Sequence, residues 1–342
     1  MTISRGVRWG VTILIGCLAL VHQPAQAGTY AAEFLRIGVG ARAIAMGGAF
    51  TALANDGTAF YWNPAGLTCV HRAELTFEHA PLFGGMAHYN VASLAVRLIP
   101  ALTVGVGWIR LGVEDIPRYG PLQETRWDRF TNPALRSTGE PEGYFQDSEN
   151  ALLLSFARRM DFEVSLGVGL ARVWIPAELS LGANFKYLEQ RLDTFAGRGE
   201  GLDAGLLLRL MSESMSDSEP QRTVSVGLSV HDLSRTSMRW NTPSGAVDRA
   251  GAVVRSGVAI CQTVPFIRSQ VTLALDREWL SARAMYFGGE LRVRRAVALR
   301  AGSNDGQLAV GAGLRLGRVQ VDYAFVSYQL RGTHRVSAAF RF

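Results

Sequence analysis

The side chains best able to ligate a metal or move a proton near neutral pH are six histidines, His22, His71, His79, His88, His231 and His334. No two of them stand at H-x-x-x-H or H-E-x-x-H spacing, which would set two imidazoles on one helix face, so neither a metal site nor any cofactor is expected. Ser93, His88 and His231 are of the types a hydrolase of the Ser/His/Asp kind uses, yet their spacing does not join them, and no catalytic residue is assigned. The glycine runs GVGAR from Gly38 and GVGLAR from Gly167 lack the strand-to-helix context of a dinucleotide loop. Cys69 and Cys261 allow a disulfide in an oxidising compartment, or two small buried or lipid-facing residues.

The elements that carry these residues follow from composition. The chain has 342 residues, 48% hydrophobic and 19% charged, which excludes a disordered polymer. Thirty-seven glycines argue against helices, where each costs roughly 1 kcal/mol. The formal charge is +6 with Lys186 the only lysine, and the arginines are scattered along the chain without a basic stripe, so no nucleic-acid partner is expected. Residues 1–27 read as a cleaved export signal, with Arg5 and Arg8 before an apolar run from Val11 to Val21 and an A-x-A site at Ala25, Gln26, Ala27. Lipoprotein processing at Cys17 is the competing reading of that segment.

Period two dominates the rest of the chain. Val319, Val321, Tyr323 and Phe325 oppose Gln320, Asp322 and Ala324, and Leu308 to Leu316 alternates with Gly311, Gly313 and Arg315. Each such run is a half-apolar strand. The second face is Gly, Ser, Thr, Arg and Asp rather than a Lys/Glu mixture, which suits the inside of a membrane barrel better than a wet sandwich face. Candidate spans lie at 73–79, 88–98, 102–111, 150–158, 178–190, 201–210, 222–231, 254–263, 269–277, 284–293, 296–302, 307–316, 319–328 and 333–342. The expected fold is therefore an all-β transmembrane antiparallel barrel of about fourteen strands over 71–342. An even count leaves both termini on the periplasmic side and the long links, 112–149 and 232–253, outside. Two features resist this scheme: Val164 to Leu170 alternates as a fifteenth candidate, and the link from Met211 to Gln221 is long for a periplasmic turn. A final Phe342 preceded by Phe340 on the same parity is the kind of ending the barrel-assembly machinery reads.

A lumen of that width needs filling. Residues 28–70 come first and include GGAFTALANDGTAFYWNPAGL from Gly47 to Leu67, rich in small residues and turns. They read as a lumenal plug whose motif residues are Gly47, Gly48, Asp56, Asn63, Pro64, Ala65 and Gly66. Asn63 and Pro64 are expected to end a short helical piece, and Gly66 to give a flexible turn into the wall. Trp127, Phe130 and Tyr144 in the loop at 112–149, with Leu82, Phe83 and Met86 in the first loop, are apolar for outside loops.

GARAIAMGGAFTALANDGTAFYWNPAGL from Gly40, with LGANFKYLEQRL from Leu181, GGELRVRRAVALRAGS from Gly288, VDYAF from Val321 and GTHRVSAAFRF at the end, resembles the PorV/PorQ family, itself similar to the FadL-type (OMPP1/FadL/TodX) outer-membrane transporters. The resemblance implies a non-enzymatic protein of the outer membrane of a Gram-negative (diderm) bacterium. PorV-like members serve as scaffold or shuttle in protein secretion of the type IX kind, with exported cargo or secretion components as partners. FadL-like members pass long-chain fatty acids or other hydrophobic small molecules. Outer-membrane lipid and the barrel-assembly machinery are the remaining expected partners.

Overall fold

The computed structural model describes residues 31–120, 125–133, 139–166, 173–212, 221–280, 283–327 and 332–342. The export signal assigned to 1–27 lies outside them. The strands are β1 (Ala73–Leu82), β2 (Ala87–Ile99), β3 (Leu102–Arg118), β4 (Gly143–Leu166), β5 (Val173–Leu192), β6 (Phe195–Ser212), β7 (Arg222–His231), β8 (Ser237–Trp240), β9 (Val247–Arg249), β10 (Val253–Val264), β11 (Ser269–Glu278), β12 (Met285–Val293), β13 (Val297–Asn304), β14 (Gln307–Leu316), β15 (Val319–Val326) and β16 (Thr333–Arg341). Each wall strand pairs antiparallel with the next, β7 passing to β10, while β8 and β9 form a small hairpin on the far end of β6. Pairing of β1 with β16, Leu75 opposite Phe340, closes the ring. The result is a closed antiparallel barrel of fourteen strands.

The apolar parity faces outward. Leu273, Leu299 and Leu308 are 61%, 55% and 60% exposed, whereas the intervening Ser155, Asp276 and Arg300 are buried. So large an apolar exterior has no place in water, and lipid is the medium in which it is stable. No helix among the described residues is long and apolar enough to cross a membrane; the crossing is made by strands. Closure follows from the same medium, because an open strand edge in hydrocarbon leaves each unpaired backbone group several kcal/mol unfavourable.

The start of β1 and the end of β16 lie on one rim, where the Phe342 N–H meets the Ala73 carbonyl. On the other rim are the long connections, 119–142 and 232–252, so the rim where β1 begins and β16 ends is the periplasmic one. The fifteenth candidate at Val164 to Leu170 is not a separate strand: Val164 and Leu166 continue β4, pair with Ile175 and Val173 of β5, and carry that hairpin past the periplasmic end of β3. Its remaining residues, 167–170, lie outside the described ones. At the far rim β3 and β4 run well beyond 102–111 and 150–158, with Glu114, Asp115, Asp147 and Glu149 in the extension. Polar residues on both parities hide such strands from a hydrophobic-period reading, although the backbone ladder is the same.

Replacing Leu273 by arginine should cost about 2–4 kcal/mol if this position sits near the bilayer midplane. The check is reversible denaturant unfolding of the barrel in phospholipid vesicles; an unchanged midpoint would mean that Leu273 does not meet lipid. Deleting Phe342, whose N–H donates to the Ala73 carbonyl at 3.0 Å and whose ring meets Phe340 at 4.8 Å, should lower the folded fraction in the outer membrane, read as the heat-modifiable band on a gel.

Candidate functional site at the plug and the barrel wall

Residues 31–70 occupy the lumen as a 3-10 turn (Glu33–Ile37), a helix (Ala41–Ala45), a second helix (Ala59–Trp62) and a 3-10 helix (Pro64–Cys69). Helices this short cannot stand by themselves; they are held by the wall. Gly47 and Gly48 have φ of 65° and 76°, a left-handed bend that other residues adopt at a cost, and Gly47 also lies against the Ser303 backbone with no room for a side chain. The wall answers with its own glycines. A methyl group on Gly107, Gly182, Gly205, Gly227, Gly288 or Gly302 would come under 3.0 Å from Phe60, Ala65, Asn63, Thr51 or Met46 of the plug. These inward glycines, spread over β3, β5, β6, β7, β12 and β13, are the seat that the plug rests in.

Charge completes the seat. Arg42 donates from Nε to Glu290 at 3.1 Å and from Nη1 to Asp56 at 3.0 Å. Glu290 accepts from Arg300 at 2.6 Å, and Arg300 also donates to Asp322 at 2.7 Å, so positive and negative groups alternate from plug to wall. Three wall carboxylates take plug backbone N–H groups: Glu78 accepts from Gly40 at 2.5 Å, Glu74 from Gly57 at 2.8 Å, and Asp276 from Phe50 and Thr51 at 2.9 and 2.7 Å. In return Arg335 donates to the Gly38 and Ile37 carbonyls, both at 2.9 Å. Burial works against the charge of Asp56, and Arg42 together with the hydroxyl and N–H of Thr58 outweighs it, so its carboxyl is held below the usual carboxylate range. A second buried group lies at the far side of the lumen, where Lys186 donates to Asp203 at 2.8 Å and Asp232 at 2.7 Å.

Of the residues marked in the sequence, those of the plug motif lie in this seat. Asn63 is fully buried; its Nδ2 donates to the Thr51 carbonyl (2.9 Å) and the Leu206 carbonyl (3.0 Å), and its Oδ1 accepts from Ala65 N–H (3.2 Å). Pro64 opens the 3-10 helix, where its missing N–H leaves no bond unmade. Gly66 differs from the expectation of a flexible turn: it lies inside that helix, and its lack of a side chain lets the chain press on the Ala54 carbonyl. Phe340 and Phe342 are on the outer face at the periplasmic rim, away from the plug. Cys69 and Cys261 are both free; Cys69 accepts from Arg209 at 3.3 Å and Cys261 from Thr272 at 3.6 Å. His88 and His231 do not gather with Ser93: His88 stacks on His79 on the outer face, His231 meets Tyr61, and Ser93 donates to the Gly57 carbonyl.

The sequence reading missed Arg42, Glu290, Arg300, Glu78, Arg335 and Asp276. A signal for them existed, since each of the wall charges occupies the small-residue parity of its strand, and a charge on that parity at bilayer depth needs a partner in the lumen. What the arrangement can do is hold a plug in register. The plug touches all fourteen wall strands, through side chains of β1, β2, β10, β11 and β16, glycines of β3, β5, β6, β7, β12, β13 and β14, and packing on β4 and β15.

Residues 20–101 match the model of an uncharacterised protein family, UPF0164. No curated protein matches the chain. Among solved structures, similar ones are outer-membrane barrels. The Pseudomonas putida toluene transporter TodX is 12% identical, with 88% of this chain and 96% of that one covered and a TM-score of 0.42. A Pseudomonas aeruginosa FadL homologue is 10% identical over 87% and 96%, with a TM-score of 0.40. Omp33 of Acinetobacter baumannii is 12% identical over 80% and 99%, with a TM-score of 0.39.

Removing the Arg42 guanidinium by Arg42→Met leaves Glu290 and Asp56 short of a buried partner and should destabilise the seated plug by about 3–5 kcal/mol. Gly227→Leu should do the same by steric exclusion of Thr51. Both variants should keep the heat-modifiable barrel while exposing 31–70 to added protease; an unaltered cleavage rate in both would show that these contacts do not hold the plug.

Proposed function

We propose that this protein is a non-enzymatic outer-membrane barrel of the PorV/PorQ kind, exported with loss of its leader, which serves as scaffold or shuttle for exported proteins at the cell surface. The observation that carries this reading is the combination of a lumen filled by the plug with apolar side chains held out at the far rim, Tyr144 on the extended β4 and the others on the link before it. Tyr119, Trp127, Phe130 and Tyr144 are 53%, 69%, 68% and 63% exposed. Trp127 and Phe130 lie on a short helix (Arg126–Thr131) whose start is fixed by a capping box between Thr125 and Asp128, with their rings 5.8 Å apart. A pre-ordered aromatic pair loses little entropy on docking, which favours a protein surface as its occupant.

A FadL-like passage for hydrophobic small molecules is the second reading, and a specific observation favours it. Between the plug and the wall, toward the far rim, is a small cleft of about 50 Å³, partly open to solvent and lined by Ile37, Ile44, Tyr61, Trp62, Arg255 and Tyr286. Passage from there requires the plug turn at Asn63 to shift, against the bonds that Asn63 makes to Thr51 and Leu206.

The two readings separate by experiment. For the scaffold, Trp127→Ser with Phe130→Ser should lower the surface level of exported proteins in cells, and liposomes carrying the wild-type barrel should take up a radiolabelled fatty acid or toluene no faster than empty ones. Uptake that rises with the barrel, and rises further in Asn63→Ala with Pro64→Ala, would replace the scaffold by the conduit.

A further inference from the structure

Arginines that are far apart in the sequence converge on the periplasmic rim. Arg72, Arg158, Arg222, Arg268, Arg294 and Arg318 are all exposed there, at the starts of β1 and β7, on β4 opposite the start of β3, and in the turns β10–β11, β12–β13 and β14–β15. They therefore encircle the barrel and do not form a one-sided patch. Their depth is set by the residues beside them. Arg158 and Arg222 continue the outward rows of Phe156 and Val224, Arg318 stands between the exposed Leu316 and Val319, and Arg268 follows Phe266 and Ile267, which are 96% and 50% exposed. Arg222, Arg268 and Arg318 thus lie beside the ends of outward apolar rows, while beyond Arg158 the row of β4 runs on through Met160, Phe162 and Val164.

Two further observations bear on these arginines. Among the described residues none of Arg72, Arg158, Arg268, Arg294 and Arg318 has an acidic partner within ion-pair distance, whereas at the far rim Arg118 pairs with Asp193 and Arg191 and Arg198 pair with Glu189. Of the periplasmic-end carboxylates, Glu74, Glu290 and Asp322 point into the lumen and are engaged by Arg341, Arg42 and Arg300, Asp161 and Glu178 are engaged by Arg159, and Glu163 is exposed on the extended β4; Glu213, Asp217 and Glu219 lie outside the described residues. Moreover, Arg268, Arg294 and Arg295 have φ of 48°, 51° and 58°, left-handed turn positions that glycine or asparagine fills at lower cost, and Arg235 and Arg283 at the far rim occupy such positions too. Turn geometry alone would not place arginines there. The Arg268 carbonyl accepts from the Arg294 N–H at 2.8 Å, so two of these turns are directly joined.

We propose that the periplasmic rim is a ring of binding sites for anionic phospholipid headgroups of the facing leaflet. The guanidinium forks grip the phosphodiester while Phe266, Ile267 and Leu316 enter the acyl boundary. A ring fits lipid, which surrounds the barrel, better than an acidic protein, which would meet one side. Each arginine beside an anionic surface is worth roughly fivefold in retention.

The test uses the purified full-length barrel in non-ionic detergent, with native mass spectrometry counting the phosphatidylglycerol or phosphatidylcholine molecules retained. The wild type should retain phosphatidylglycerol preferentially. The triple variant Arg268→Asn, Arg294→Asn, Arg318→Gln, whose asparagines suit the left-handed turns, should lose that preference at least about tenfold. Arg158→Gln with Arg222→Gln is the parallel variant should the first not fold. Equal retention of the two lipids by the wild type, or an undiminished preference in the variants, overturns the proposal. Competition by inorganic phosphate as effective as that by phosphatidylglycerol would make this a free-anion site. Loss of polyglutamate binding without change in lipid retention would make it a protein interface.

Discussion

Hydrocarbon offers no hydrogen-bond partner to a peptide group, and every other feature of this barrel follows from that. A sheet in such a medium has no tolerable edge, so β1 must find β16. Fourteen strands give a ring too wide for its own side chains to fill, and the space passes to the residues that precede the first strand. The outward parity is apolar for lipid, and the inward parity is left to be small where the plug presses and charged where it must be held.

The seat of the plug shows how those two inward roles divide. Glycines on β3, β5, β6, β7, β12 and β13 remove side chains where plug atoms approach the wall, and the cavity they would otherwise leave is taken by Phe60, Met46, Ala65 and Thr51. Between them, Arg42, Glu290, Arg300 and Asp322 form a chain of alternating charge. Burying such groups is unfavourable one by one, and replacing the set by hydrophobic residues would not necessarily weaken the fold. Their contribution is positional: a carboxylate that accepts two successive backbone N–H groups, as Asp276 does from Phe50 and Thr51, fixes the plug to within a residue.

Much of this architecture was legible in the residues. Alternation over Leu308–Leu316 and Val319–Phe325 exposed the wall strands because lipid enforces the parity strictly there, and the same rule placed each of the fourteen spans. Beyond the bilayer the rule lapses, which is why the extensions of β3 and β4 went unseen and why Val164 looked like a strand of its own. The plug motif was visible as a cluster of turns and aromatics, while its partners Glu290 and Asp276 were not, since each is separated from the plug by over 200 residues of chain.

By itself the sequence determined the medium, the strand parity and the presence of a filling segment, because these depend on near-neighbour pattern and composition. Only the tertiary structure decided which wall residue meets which plug residue, that Gly66 is packed and not free, and that arginines scattered along the chain share one rim. Sequence order sets distance along a strand; the closure of the ring sets what stands beside it, and charge acts through space rather than along the chain.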